Sequence, residues 1–407
     1  MTQNAVDPAT GKPAAVSPHT SGTPSPGAST GRLIGVDLAR GLAVFGMYAA
    51  HVGPDPSEGG AVGFVMELSH GRASALFAFL AGFSIILITG RHAPKTGRAG
   101  RQAVAKVVIR ALVLLVVGTG LTLTGTAVEV ILAFYGLYFL LVLPLYRLGA
   151  RPLAIIAGAA ALVLPQILYV VHRALDADEP GGIWTWPADA DGLLSLLFTG
   201  SYPALTWIPF VVAGMAVARL DPAATAVRLR LALTGAGLAV LGYGGSWLAL
   251  HLVPGALAAV AESGGEDGGS AASAWWSDTW GYPSGDSPAE LLVAAPHSET
   301  TLSIVGNSGV AVLVLIACLA AVDAFPRLHR LARPVITVGT MSLTAYVLHV
   351  VGIQALGIEE LPGSPPHVLL GFLVAVTVFA TLWSRFFRRG PLEWLLGKAA
   401  EPARLVR

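Results

Sequence analysis

Apolar runs recur along the chain, each bounded by Gly, Pro or clusters of charge. They fall at roughly 34–52, 72–90, 108–126, 128–146, 152–171, 203–219, 230–250, 302–322, 335–357 and 367–387. Each is long enough to cross about 30 Å of hydrocarbon as a helix. The pattern predicts an all-α, polytopic membrane bundle of about ten transmembrane helices. The stretch 192–200 is too short to span and reads as a re-entrant or interfacial piece.

The first run carries unusual polarity. Asp37, Arg40 and His51 interrupt an otherwise apolar helix. At ~100° per residue, the step from Arg40 to His51 is about three turns plus roughly 20°. Both therefore share one face, about 16 Å apart along the axis. Asp37 precedes Arg40 by three positions, close enough to pair with it. Charged groups in hydrocarbon each cost a few kcal/mol unless they face protein or water. The stripe points to a polar path inside the bundle.

The loops alternate in charge. One set holds Arg91, Lys95, Arg98, Arg101, Lys106 and Arg110, then Arg147 and Arg151, Arg219, Arg228 and Arg230, Arg327, Arg330 and Arg333, and finally Arg385, Arg388, Arg389 and Lys398. The intervening loops carry acids, from Glu58 and Glu67 to Glu359 and Glu360. The positive-inside rule then predicts that both termini and the arginine loops are cytoplasmic. His51 would lie at the extracytoplasmic end of helix one, with Arg40 nearer the cytoplasm.

Composition agrees: 54% of residues are hydrophobic and 12% charged, against about 25% charged in a soluble domain. The expected environment is the plasma membrane bilayer. A net charge of +1 singles out no partner, and no nucleic acid is expected. The one cysteine, Cys318, sits in an apolar run and is read as packing. No metal-ligand spacing appears. Residues 1–30, rich in Pro, Thr, Ser, Ala and Gly, read as a disordered cytoplasmic tail. No apolar signal-peptide core precedes Arg32, so the first span reads as an uncleaved anchor. Residues 31–395 form the predicted membrane domain, with an extracytoplasmic loop at 254–300. Residues 396–407 form a second cytoplasmic tail.

Several polar groups can carry chemistry at the outer end. His51 titrates near neutrality and can take a proton from a hydroxyl or amine; the bland alternative is an interfacial histidine. His70 opens helix two at the same depth, as base, as orienter or as a second interfacial ring. Ser342, Tyr346 and His349 fall at i, i+4 and i+7 of helix nine and share a face; such helices also simply bind neighbours together. His297 and Glu299 end the long loop as a candidate lid dyad, with Asn307 one to two turns into helix eight. Ser298 or Thr300 can cap that helix. Trp184, Trp186, Trp275 and Trp276 lie in outer loops. They form either an aromatic interface belt or a stacking surface for a sugar-like or amphipathic substrate. No hydrolase elbow, zinc-protease, Walker or dinucleotide motif is present.

The Arg40-to-His51 spacing resembles the motif of the type-three membrane acyltransferases. Val36-Asp37-Leu38-Ala39-Arg40-Gly41-Leu42-Ala43 is similar to the opening helix of heparan-alpha-glucosaminide N-acetyltransferase. The YeiB-like bacterial membrane proteins, a family without an assigned reaction, resemble the chain most. Their pattern recurs as Phe77-Ala78-Phe79-Leu80-Ala81-Gly82, Thr199-Gly200-Ser201-Tyr202-Pro203, Gly339-Thr340-Met341-Ser342-Leu343-Thr344-Ala345-Tyr346 and Gly390-Pro391-Leu392-Glu393-Trp394. The likeness covers nearly all of the chain after residue 30. It departs from the heparan enzyme in two ways. There an asparagine stands in place of His51, and the catalytic histidine follows later, so His70 is the nearer counterpart by loop position. The chain also lacks that enzyme's large lumenal domain.

The resemblance implies acyl transfer. Acyl-CoA, most simply acetyl-CoA, would enter from the basic cytoplasmic face and reach in beside Arg40, with Asp37 holding the guanidinium. An acceptor hydroxyl or amine, on a glycan or lipid-linked sugar, would enter from outside. His51 or His70 would act as base or carry the acyl group, with His349 orienting the site. Asn307, Ser342 or Tyr346 would donate to the oxyanion. His297, Trp184 and Trp275 would meet the acceptor. The rival reading is a transporter of a small amphipathic or lipid-linked solute without covalent chemistry; a non-catalytic scaffold is the third. Both monomer and homodimer remain open.

Overall fold

The computed structural model describes residues 27–176, 191–263, 271–277 and 287–407. The described residues are helical, with no strand among them. Helix α1 spans Gly27–Val52, α2 Gly60–Glu67, α3 Arg72–Thr89, α4 Gly97–Thr122, α5 Leu132–Val142 and α6 Ala150–Asp176. Then come α7 (Ala204–Ala218), α8 (Thr225–Ala239, continuing through a π turn to Leu252), α9 (Thr301–Ala324), α10 (Arg333–Thr340), α11 (Ser342–Ala355), α12 (Pro366–Phe386) and α13 (Pro391–Ala399). Among the described residues, six helical stretches are long and apolar enough to cross a membrane, and two bent pairs bring the total to as many as eight. The protein is a multi-pass membrane protein.

α1, α3, α7 and α9 form the buried centre; α4, α6, α8 and α12 lie outside and keep apolar side chains such as Val116, Leu162, Leu233 and Leu370 exposed. Lipid tails cover such faces, so they need no protein partner. At the centre, close backbone approach replaces large side chains. A Cβ at Gly82 of α3 would overlap the Val211 carbonyl of α7, and one at Gly214 would overlap that of Phe79. Gly41 and Gly339 bring α1 against α10 in the same way. Small residues at helix crossings give dispersion contact where lipid offers no hydrophobic drive.

Several elements differ from the sequence reading. The run at 335–357 is two helices, α10 and α11, meeting at 88°. Met341 between them leaves helical geometry. The amide N–H groups that the break frees at the start of α11 find an acceptor far along the chain. Glu393 Oε1 accepts from Leu343 N at 2.8 Å and Thr344 N at 3.1 Å. Its Oε2 accepts from the Thr344 hydroxyl at 2.6 Å. A carboxylate there also suits the positive end of the helix dipole. The 192–199 piece meets α7 at 67°.

α4 starts eleven residues before the apolar run at 108, because Ala, Arg, Gln, Lys and Val continue the helix outward. Arg98, Arg101 and Lys106, which the charge pattern places in a loop, are therefore inside α4, as is Arg110, which lies within the apolar run itself. His70 does not open a helix; it sits in the elbow between α2 and α3. The final residues pack back on α4, where Gln102 Nε2 donates to the Arg404 carbonyl at 2.9 Å.

Candidate active site

One end of the bundle is fastened by arginines. The Arg219 guanidinium donates to the carbonyls of Gly90, Arg91, Tyr146 and Leu148, tying three loops together. At this end α4, α13 and the C-terminal turn enclose a cavity of about 360 Å³. Lys95, Lys106, Arg110, Arg389, Lys398 and Arg404 line it, with Glu401 the one acid. Such a concentration of cations favours a multiply charged anion.

A second cavity, about 340 Å³, also borders Ile88 and Arg110 and continues inward to Arg40, Ser84, Tyr135, Ser342 and Glu393. Arg40 Nη1 meets Asp37 Oδ1 at 2.8 Å, and Nη2 donates to the Ser84 hydroxyl at 2.8 Å. The expected Asp37–Arg40 pair thus forms, with Arg40 also bordering the cavity. Arg110 stands where the two spaces adjoin, and its buried Nε has no hydrogen-bond partner among the described residues. An uncompensated donor of this kind is costly in a low-dielectric interior, so it marks a place for an acceptor.

The opposite end gathers histidines. His51 Nδ1 lies 2.9 Å from His349 Nε2, and the rings are nearly parallel with centroids 5.1 Å apart. One nitrogen donates and the other accepts, so the pair holds a proton between them. Tyr48 lies against the His349 ring at 4.8 Å, and Tyr346 meets it edge-on at 4.9 Å. Both tyrosines are fixed. Tyr48 donates to the Ala345 carbonyl at 2.7 Å, and the Tyr346 hydroxyl accepts from Ile131 N at 3.1 Å. Ser342, Tyr346 and His349 do line one side of α11. Ser342 borders the Arg40 cavity while His349 meets His51, so α11 links the two spaces.

His70 and His297 complete the group, both within electrostatic reach of His51. His70 Nδ1 is 2.9 Å from the Met66 carbonyl. His297 sits beside Tyr202 and Trp207, at ring distances of 5.4 and 5.9 Å. It and Glu299 both adopt positive φ, 58° and 55°, uncommon for residues with a side chain. Burial, and then His70, hold the His297 ring down to about 4. Burial pushes the Glu299 carboxyl up to about 7, against hydrogen bonds from Thr206 and Trp207. Trp207 Nε1 reaches Glu299 Oε1 at 2.8 Å. His297 and Glu299 border the same small cavity but bond to different partners.

Asn307 also borders that small cavity. Its Oδ1 accepts from the Tyr243 hydroxyl at 2.7 Å and its Nδ2 donates to Ser303 at 3.2 Å. The Arg72 guanidinium lies over the rings of Tyr243 and Trp276 and donates to the Glu67 carbonyl at 2.9 Å. Trp275 packs over a small cap cluster with Leu250, Val260 and Val293. Trp184 lies outside the described residues. No cluster of metal-binding side chains occurs among the described residues.

Sequence reasoning passes over Tyr48, Arg110 and Glu393 as site groups. Arg110 carries a usable signal, a charge inside an apolar run. Nothing in the sequence links Glu393 to α11.

Fold and site together define a polytopic helical membrane protein with a basic cavity at one end and a histidine cluster at the other. Residues 32–246, more than half of the chain, match the family described as heparan-alpha-glucosaminide N-acetyltransferase, catalytic, and the chain belongs to that family. Residues 288–401 match a second family, described as protein of unknown function (DUF418). Both matches agree with the YeiB-like resemblance. No curated protein matches the chain. The His51–His349 contact joins the two matched regions.

Proposed function

We propose that the protein transfers an acyl group, in the simplest case acetyl, from cytoplasmic acyl-CoA to an extracytoplasmic hydroxyl or amine. One observation carries the reading. Two cavities adjoin at Arg110; one is lined by six cationic side chains, and the other runs in to Arg40 and Ser342. A nucleotide with several phosphates suits the first, and a narrow uncharged arm ending in a thioester suits the second. Membership of an acetyltransferase family supports the same donor.

The His51–His349 pair is the base in this scheme. A histidine nitrogen removes the acceptor proton as the acceptor oxygen or nitrogen attacks the thioester carbonyl carbon. The new C–O or C–N bond forms, the C–S bond breaks, and the thiolate of CoA leaves with the proton the pair had taken. Transfer through an acyl-histidine is the two-step version of the same exchange. His70 and His297 are close enough to shape the field at the pair. Ser342 and Tyr346 lie on the path between the cavities and the histidines, as oxyanion donors.

The orientation belongs to the same proposal. The arginine-rich end faces the cytoplasm, with both termini. Adding α1 and the short apolar helix Leu132–Arg147 to the eight spans gives ten. The assigned membrane is the plasma membrane; residues 31–395 form the catalytic domain. An acceptor on a glycan or lipid-linked sugar would meet the outer loop.

Calorimetry of the purified protein with acetyl-CoA tests the reading. Saturable binding that weakens in Arg110→Ala is expected. No binding in the wild type, with the fold intact by circular dichroism, would overturn it.

A further inference from the structure

A groove of about 530 Å³ runs between α11 and α12 down to α1. Its walls are apolar, formed by residues such as Leu348, Leu356, Val368, Phe372 and Phe379. Its two polar side chains, Tyr48 and His349, are each 1% exposed and form the floor. The rim carries exposed Leu348 and Leu356, and α12 continues outward with exposed Leu370, Val374 and Val378. Such a face borders lipid, so the groove opens sideways into the bilayer.

We propose that this groove seats the hydrocarbon chain of the acceptor, a long-chain lipid whose terminal hydroxyl or amine is delivered laterally to the His51–His349 pair. The inference rests on the acyl-transfer reading above and narrows its acceptor to a membrane lipid.

Three features select this occupant. First, a soluble glycan or peptide has no access to a slot that opens onto hydrocarbon, whereas a lipid already resides there. Second, the polar groups of the floor are mostly committed. The Tyr48 hydroxyl donates to Ala345 and His349 Nε2 meets His51. His349 Nδ1 is buried, has the Tyr346 carbonyl nearby, and makes no well-aligned hydrogen bond. A polar pair, Tyr48 and His349, lining an otherwise apolar slot fits a ligand with one polar head on an apolar stem. Third, the space is built by small residues. A Cβ at Gly352 would press on the Phe372 ring, while a Cβ at Gly371 would meet nothing within 4 Å. With Ala375 one turn on, Gly371 leaves one wall low. In the reaction the lipid oxygen gains the acyl carbon, the C–S bond of acyl-CoA breaks, and the hydroxyl proton passes through the histidines to the thiolate.

Hexadecanol bearing a mid-chain diazirine tests this in lipid nanodiscs with the full chain. Photolabelling is expected on peptides covering 348–356 and 368–379. Gly371→Trp and Ala375→Trp should each cut it at least tenfold, with acetyl-CoA affinity unchanged. Hexadecyl acetate should form from acetyl-CoA and fall in parallel. Label spread evenly over the outer helices and insensitive to both tryptophans would mean bulk lipid only and overturn the proposal. So would a tryptophan variant that changes only the oligomeric state, since the groove would then seat a second copy. Groove labelling without ester formation would overturn the acceptor role. Because labelling needs no turnover and acetyl-CoA binding needs no lipid, the two readings fail separately.

Discussion

His51 and His349 stand 298 positions apart in the chain and 2.9 Å apart in the fold. Each ring supplies what the other lacks, a donor against an acceptor. Removing one leaves the other with an unmatched nitrogen in a buried site. The pair should therefore behave as one catalytic unit. His51→Ala and His349→Ala are each expected to lower acyl transfer by about 10²–10⁴-fold. The double variant should be little worse than either single one, as for residues that act together. Turnover of labelled acetyl-CoA in membranes measures this. Multiplying losses would mean two independent roles.

Arg110 should matter for donor binding more than for folding. Its Nε has no partner among the described residues, so truncation removes no bond seen at that atom. A hydrogen bond to a charged group contributes about 1.5–3 kcal/mol, which is roughly 10- to 150-fold in affinity. Arg110→Ala is expected to weaken acetyl-CoA binding within that range and to leave the melting temperature within a few degrees. Arg110→Lys should restore the charge but not the planar fork. An unchanged dissociation constant in Arg110→Ala would remove Arg110 from the donor site.

What the sequence reveals and what it conceals follow from range. Asp37 and Arg40 are three positions apart, so their pairing is a local helix property and was legible. His51, His349 and His297 stand out because each is a titratable group against an apolar background, but their meeting depends on how α1, α11 and the loop ahead of α9 converge. Arg98, Arg101 and Lys106 read as loop charges because apolar runs mark only the hydrocarbon part of a helix, and α4 starts well before its run, at Gly97; Arg110 falls within the run itself. The break at Met341 was hidden for another reason. No proline or glycine occupies that position, and the group that stabilises the new helix start, Glu393, comes from about 50 residues later.

That carboxylate yields a structural prediction. Glu393 accepts two backbone N–H groups and the Thr344 hydroxyl. Glu393→Ala leaves these donors unmatched, each at a cost of about 1–3 kcal/mol when buried. A clear fall in melting temperature is expected. Glu393→Gln keeps one carbonyl oxygen and should lose less. Thr344→Val should lie between Glu393→Gln and the wild type. Nanodisc thermal unfolding of the three variants checks the order, and a Glu393→Ala protein as stable as wild type would contradict the capping role.

The loop ahead of α9 predicts an unusual pH profile. His297, held down to about 4 from 6.5, is neutral in the folded protein at neutral pH. Its contribution to stability is complete above about 6.5 and is lost as pH falls toward 4. Glu299, pushed up to about 7 from 4.5, favours its protonated form. Its contribution is complete below about 4.5 and is lost as pH rises toward 7. Between roughly 4.5 and 6.5 the two slopes oppose each other, so this loop should add little pH dependence in the wild type. Glu299→Gln removes the falling limb, and stability should then rise with pH from 4 to 6.5. His297→Asn removes the rising limb, and stability should then fall from 4.5 to 7. Thermal unfolding across pH 4–8 separates the cases. The same slope in the wild type and both variants would mean that neither group changes its protonation on folding.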